Sequence, residues 1–369
     1  MIMANEFLSI KNIARQALPR LIENLVFPNL IYKDYSDTYE VGKGATIQVR
    51  KPVVLTASEF DASQGVTAQD VKEPSVEVTL DKLATVDAEF GAISRATDVD
   101  DLNRLFIEPA AVALAEKINA DGLKLALEVP NAIGTAGTTP DGLDDFANAA
   151  KVLDDNKVPT ALRRGVWNPA AMAKFRQIGD IVNAEKSGAT EALRRGSIGN
   201  IFGIDNYMAQ GVVETTKTGA GTVLIDKSGG YPAGTTDIHV DGVSTALAAG
   251  DTIKIGDYTY TIKSVGSLST ADQDIVLYSG LVEAVANDAA VTLLDSAAHN
   301  IVFHENAFAF VTRPLAAPAG VESYTTSYNG ISLRVTRGYD MQYKKEMISM
   351  DVLYGYKTMY PEMAVRVLG

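Results

Sequence analysis

Apolar residues near the start of the chain recur at three- and four-residue steps: Ile10, Ile13, Ala14, Ala17, Leu18, Leu21, Ile22 and Leu25. That spacing predicts an amphipathic helix over residues 9–27, with Ser9 as its cap, a kink at Pro19 and an end at Pro28. The period then changes. Residues 46–54 alternate around Ile47 and Val49, and the polar stretch ASEFDASQGVTAQDVKEP follows. Beyond it Val76, Val78, Leu80, Ala84, Val86, Ala88 and Phe90 share one parity, broken only by Lys82. Alternation of that length predicts two long strands forming a ribbon with one apolar face. A two-stranded ribbon is marginal in water by itself, so its face needs a cover from this chain or from another.

A second helical region runs from Asp98 to Glu128. Pro109 suits its first turn, where a missing N–H does no harm. Ala111, Ala115, Ile118, Gly122 and Leu125 form one stripe, whose small residues permit close packing. The part from Pro109 to Glu128 would be a spine about 30 Å long. A loop of Gly, Thr and Pro follows over residues 134–142. A helix near 143–156 and a strand at 165–167 come next, and then a helix capped by Asn168 with Pro169 at its first position. Residues 196–208 read as a hairpin-like pair of short strands.

The texture shifts after that. No arginine occurs between Arg195 and Arg313, and no Phe or Trp between Phe202 and Phe303. The stretches GTVLID, TDIHVD, DTIKIGDYTYTIKSV, QDIVLYS and AAVTLLD lie between Gly, Asp and Thr turns. Such regular short strands predict a small all-β barrel or sandwich inserted at residues 214–298. Strand patterning resumes at Ile301, Phe303, Phe308 and Phe310, and dominates from Leu333 to Leu368.

Length and charge narrow the function classes. At 369 residues the chain exceeds what one core usually organises, so two or more domains are expected. A net charge of −13 argues against a surface that wraps nucleic acid. The absence of cysteine excludes disulfides, thiolate catalysis and Cys-based metal sites. Lys11, Arg15 and Arg20 interrupt the first apolar stretch, and no apolar run reaches the roughly 18 residues of a membrane span. A soluble protein, intracellular when made and not engaging a membrane, is the expectation.

The chemistry-bearing motifs fail one by one. HNIVFHENAFAF, residues 299–310, holds two of the three histidines, with Glu305 beside His304. A zinc-peptidase helix needs a second histidine four residues after the first, and Phe308 occupies that place. His299 and His304 differ by five, which puts them on opposite faces of a strand. The residues favour a strand with polar edge positions over a metal or catalytic site. Gly42-Lys43 is followed by Gly44, so no phosphate-cradling loop forms. DIHVDG at 237–242 has Ala248 where a calcium loop needs its bidentate glutamate. Arg163-Arg164 and Arg194-Arg195 read as solvated surface or an inter-subunit ion pair ahead of a phosphate site. No catalytic, cofactor-binding or metal residue is assigned, and no cofactor is expected.

The stretches SIKNIARQALPRLIENLVFPNLI, YEVGKGATIQVRKP, GSIGNIFGIDNYM, FHENAFAFVTRPLAAPAG and SLRVTRGYDMQYKKEMISMDVLYGYKTMYPEMAVRVL, with the order of elements, resemble the major capsid protein of tailed bacteriophages. The family has the Hong Kong ninety-seven type of fold, and the texture is similar to its short-tailed-phage coat branch with an inserted β domain. The resemblance implies an α+β fold: an N-arm (1–36), an extended β-ribbon loop (37–94), and a peripheral domain with the spine helix (95–134 and 338–369). It further implies an axial domain (135–213 and 299–337) and the inserted β domain (214–298). The implied function is an icosahedral shell around double-stranded DNA, in a virion assembled in the bacterial cytoplasm. Implied partners are identical subunits in hexamers and pentamers, a scaffolding protein, a portal, and packaged DNA bound without sequence specificity.

On this reading a neighbouring subunit covers the ribbon, and the expected assembly residues are Arg50, Lys51, Val76, Val78, Val86 and Phe90. Rival readings are an encapsulin-like nanocompartment shell, a β-rich tail or adhesin component, and an enzyme built on His304 and Glu305. The inserted domain counts against the first, and the ribbon and spine helix against the second.

Overall fold

The computed structural model describes residues 10–33, 46–50, 75–91, 107–182, 196, 198–318, 320–340 and 345–369. The chain begins with α1 (Ile10–Asn24), a 3-10 turn (Phe27–Leu30), β1 (Thr46–Arg50), β2 (Ser75–Thr79) and β3 (Lys82–Gly91). Next come α2 (Glu108–Leu123), a 3-10 turn (Lys124–Glu128), β4 (Ala132–Gly134), α3 (Leu143–Asp155) and β5 (Arg163–Trp167). They are followed by α4 (Pro169–Phe175), α5 (Gly179–Val182), β6 (Asn200–Ile201), β7 (Ile204–Met208) and β8 (Glu214–Thr215). Six strands then lie close together: β9 (Ala220–Ile225), β10 (Asp237–Thr245), β11 (Thr252–Ile255), β12 (Tyr258–Val265), β13 (Gln273–Leu277) and β14 (Ala290–Leu293). The return consists of β15 (Ala297–His304), a 3-10 turn (Glu305–Ala307), β16 (Phe308–Arg313), β17 (Glu322–Tyr328), β18 (Ile331–Asp340), β19 (Lys345–Thr358) and β20 (Ala364–Leu368).

The chain divides into two compact units. The first contains residues 1–18, 33–99 and 309–359; the second contains 19–32, 100–308 and 360–369. In the first, β19 is the organising strand. It pairs with β18, whose other neighbour is β17, and with β3 from Lys345↔Gly91 to Tyr354↔Lys82. This corrects the expectation of one long ribbon. Only β2 pairs with β1, from Thr46↔Thr79 to Arg50↔Ser75. β3 lies in the five-stranded sheet, because β19 offers it a ten-residue register. The predicted parity holds from Val76 to Glu89: Val78, Leu80 and Ala84 are buried and Val76, Val86 and Ala88 half-buried, while Glu77, Thr79, Leu83, Thr85, Asp87 and Glu89 are exposed. Phe310, Tyr354 and Tyr356 close the core of this unit, with ring centroids 4.8–6.2 Å apart.

The second unit is built on a sheet ordered β4-β20-β15-β5-β7-β6, with β8 adding to β15. On it sits an aromatic cluster in which Phe146 lies 5.0 Å from Trp167 and 4.5 Å from Phe175. α4 starts as its sequence requires: Asn168 accepts a hydrogen bond from the Ala171 N–H at 2.9 Å, with Pro169 first in the helix. The spine helix is α2 with the turn after it, and Ala111, Ala115, Ile118, Gly122 and Leu125 are all buried. Residues 98–106, expected to be helical, lie outside the described residues. Asn119 of α2 holds the end of α1: its Oδ1 accepts from the Val26 and Phe27 N–H groups at 3.0 and 3.2 Å. Its Nδ2 donates to the Asn24 carbonyl at 3.0 Å.

The inserted β domain is a closed six-stranded barrel, β10-β13-β12-β11-β14-β9, with β9 returning to β10. Ile238, Val240, Ile253, Tyr260, Ile262 and Ile275 fill it. The barrel strands span residues 220–293, inside the expected 214–298, because β8 and β15 pair with each other in the sheet below. The two units cut across the peripheral and axial groupings that the resemblance implies, without testing them. The spine helix and β20 fall in the second unit, and β18 joins β19 in the first. Strand pairing, which chain order does not reveal, sets the division.

Candidate functional site

The six expected assembly residues meet different fates. Val78 is fully buried within its own chain, opposite Ile47. Gly355 makes that burial possible, since a Cβ there would overlap the carbonyl oxygen of Thr79. The last part of β19 therefore lies directly against β2. Val76 and Val86 are half-buried. Arg50 and Phe90 belong to β1 and β3, and only their backbone is described; Lys51 lies outside the described residues. Part of the cover that the ribbon needs thus comes from its own unit.

The histidine strand is likewise not the polar-edged strand that its residues suggested. All eight residues of β15 are buried, because it runs in the middle of the sheet between β20 and β5. His299 and His304 keep opposite faces. His304 Nδ1 accepts the Asn306 N–H at 3.2 Å and so caps the following turn, and burial holds its pKa below the ordinary value. Glu305 pairs with Arg164 at 3.2 Å. Both members of the enzyme-like pair are therefore engaged in structural contacts. Among the described residues no group of three His, Asp or Glu side chains is placed to hold a metal ion.

Arg163 is neither solvated nor free for another subunit. Its Nη2 donates to Asp154 at 2.7 Å and to the Val158 carbonyl at 2.6 Å, and its Nε to the Pro159 carbonyl at 2.9 Å. Arg164 donates to the Leu30 carbonyl as well as pairing with Glu305. Arg194 and Arg195 lie outside the described residues. Beside α2 is an open groove of about 480 Å³, lined among others by Val112, Ala115, Glu116, Asn119, Met208 and Gly211. Of the amides that line it, Asn119 is already occupied by the end of α1. Sequence reading missed Asn300, whose Oδ1 accepts from the Asn168 N–H at 2.7 Å and whose Nδ2 donates to the Val367 carbonyl at 3.2 Å. It also missed Arg366, which is completely buried on β20. The unbroken run AAHNIVFH was the available signal, since a strand in mid-sheet need not alternate.

Residues 246–369, from just after β10 to the last residue, match the model of the family described as P22 coat protein - gene protein 5. A solved chain from Mycobacterium phage Che8 has a TM-score of 0.53 at 17% identity, over 93% of this chain and 90% of that one. The fold is the tailed-phage capsid fold. The capsid structure of the cyanophage P-SCSP1u aligns at a TM-score of 0.49 and 13% identity, over 89% of this chain and 84% of that chain. A virus-like particle from Pyrococcus furiosus aligns at 0.45 and 11%, over 99% and 100%. No curated protein sequence matches the chain. The buried histidines belong to the framework of this fold.

Proposed function

We propose that the chain is a coat protein that closes with identical copies into an icosahedral shell around double-stranded DNA. The observation that carries this reading is the capsid fold extending over 93% of the chain. The coat-family match over residues 246–369 supports the same reading from sequence. A fold does not by itself name a function, and the physical features add weight. The acidic charge suits a container that must not grip its contents. Residues 51–74 connect β1 to β2 with a largely polar sequence. In the proposed mechanism this loop reaches an adjacent subunit, with Arg50, Lys51, Val76, Val86 and Phe90 at its root. A scaffolding protein and a portal would set shell size and the entry point for DNA.

Electron microscopy of the purified, concentrated chain tests the proposal. Closed icosahedral shells are expected, and from infected cells they should carry nuclease-protected double-stranded DNA. Shells that protect a co-purifying protein and no DNA would establish the nanocompartment reading. A chain that stays monomeric or trimeric at high concentration, with and without a scaffold, would overturn both.

A further inference from the structure

Five buried polar side chains form a ring where the barrel meets the sheet below it. Arg366 on β20 donates from Nη1 to Thr261 Oγ1 at 2.9 Å and from Nη2 to the Thr259 carbonyl, both on barrel strand β12. Thr261 stands directly opposite Thr252 on β11. Thr252 Oγ1 lies 3.3 Å from Thr215 Oγ1, which in turn lies 2.8 Å from His299 Nε2 on β15. The register of β15 with β20 completes the ring, with His299 opposite Leu368 and Ile301 opposite Arg366. His299 and Arg366 are therefore diagonal neighbours on the same sheet face, a spacing within reach of long side chains.

Two atoms of this ring are left over. Arg366 Nε and His299 Nδ1 are buried, and neither has a hydrogen-bond partner among the described residues. Their residues are 0% and 1% exposed. Thr215 Oγ1 can donate to His299 Nε2, and in the tautomer that accepts this bond the proton of a neutral imidazole sits on Nδ1. Both leftover atoms then present N–H groups. Arg366 also lacks a counter-charge: among the described residues its bonds go to a hydroxyl and a carbonyl, and no carboxylate pairs with it. An unpaired buried cation is far more destabilising than a normal polar mismatch.

We propose that Arg366 Nε and His299 Nδ1 together hold one small monovalent anion, of the halide class, inside the joint between barrel and sheet. One guanidinium and one neutral imidazole balance a single negative charge. A divalent oxyanion such as sulfate would bring an excess charge and more acceptor oxygens than two donors can satisfy. Neutrality of the imidazole follows from its surroundings, since burial first and the Arg366 charge second push the His299 pKa down to about 3. The anion neutralises Arg366 and bridges β20 to β15, while Arg366 and Thr215 carry the joint on to barrel strands β12 and β11.

Bromide is the probe. Full-length protein is moved into sodium gluconate, and bromide is titrated in at constant ionic strength while the thermal midpoint is followed. A saturable rise is expected, and His299→Gln should raise the half-saturating bromide concentration about tenfold or more, as loss of one hydrogen bond to a charged group implies. Crystals grown in bromide should show an anomalous peak within hydrogen-bond distance of both Arg366 Nε and His299 Nδ1. Arg366→Met should abolish the bromide response; if that variant does not fold, the anomalous map of the unaltered protein stands as the deciding measurement. Equal midpoints in bromide and gluconate, or a map with no peak between the two nitrogens, would overturn the proposal and leave water as the occupant.

Discussion

Gly355 lies so close to Thr79 that no side chain fits between them: a Cβ on Gly355 would overlap the Thr79 carbonyl oxygen. This contact lets β19 run on past β3 and against β2. Gly355→Ala should therefore cost about 1–3 kcal/mol, the usual range for overpacking a tight contact. Gly338 on β18 is the control, because the nearest atom to its Cβ position is Val321 Cγ1 at 3.8 Å. Urea denaturation should show a large loss for the first alanine and little for the second. Equal effects would mean that the close approach does not govern the packing of β2.

His304→Ala should destabilise by about 1 kcal/mol, since it removes a helix-turn cap from a buried position. Its solubility and its purified metal content should be unchanged. Stoichiometric zinc in the parent, lost on substitution, would restore the metal reading.

The histidines should pull stability in opposite directions with pH. Its hydrogen bond to Asp274 at 2.7 Å raises the pKa of His239, with Asp226 and Asp272 contributing. A raised folded pKa means that the contribution is fully present below about 6.5 and lost as pH climbs through the folded value. The histidine is partly exposed, so the effect is small and screened by salt. His299 has a folded pKa of about 3, so its unfolded form takes up a proton that the folded form refuses. Stability therefore falls as pH drops below about 6.5 and levels off below about 3. NMR titration of the two ring signals checks both. A His239 pKa below 6.5, or a His299 ring that protonates near neutrality, would refute the respective assignment.

The barrel has its own core, so an excised fragment of residues 212–300 should give a dispersed NMR spectrum. It should melt at a lower temperature than the barrel within the full chain. Excision removes the Arg366 bonds and the hydrogen bond from Thr259 N–H to the Pro130 carbonyl at 2.9 Å. A random-coil spectrum would show that the barrel needs its platform to fold.

Replacing residues 55–70 with a short Gly-Ser turn keeps the Arg50–Ser75 pairing and removes most of the loop. The expected product is a folded monomer that assembles poorly or into aberrant particles. Sedimentation against the parent, with circular dichroism as fold control, is the measurement. Normal closed shells at the parent's concentration would rule out the loop as an assembly element.

Local chemistry was legible in the sequence wherever a residue's role depends on its near neighbours. The α1 stripe, the small-residue face of α2, the Asn168-Pro169 start of α4 and the barrel strands between their Gly and Asp turns all read directly. They could be read because periodicity, caps and turns act over a few residues. Parity along residues 76–89 was also right, since alternation is a property of the strand itself. Which strand lies beside which was decided only in three dimensions. β3 left the ribbon for β19, and β20 joined β15, because backbone hydrogen bonds carry no sequence label and the longer register is favoured. Burial of polar residues was hidden for the same reason. His299, Arg163 and Arg366 look like surface residues in a string of letters, and they lie in the interior because distant threonines, carbonyls and a carboxylate were brought to meet them.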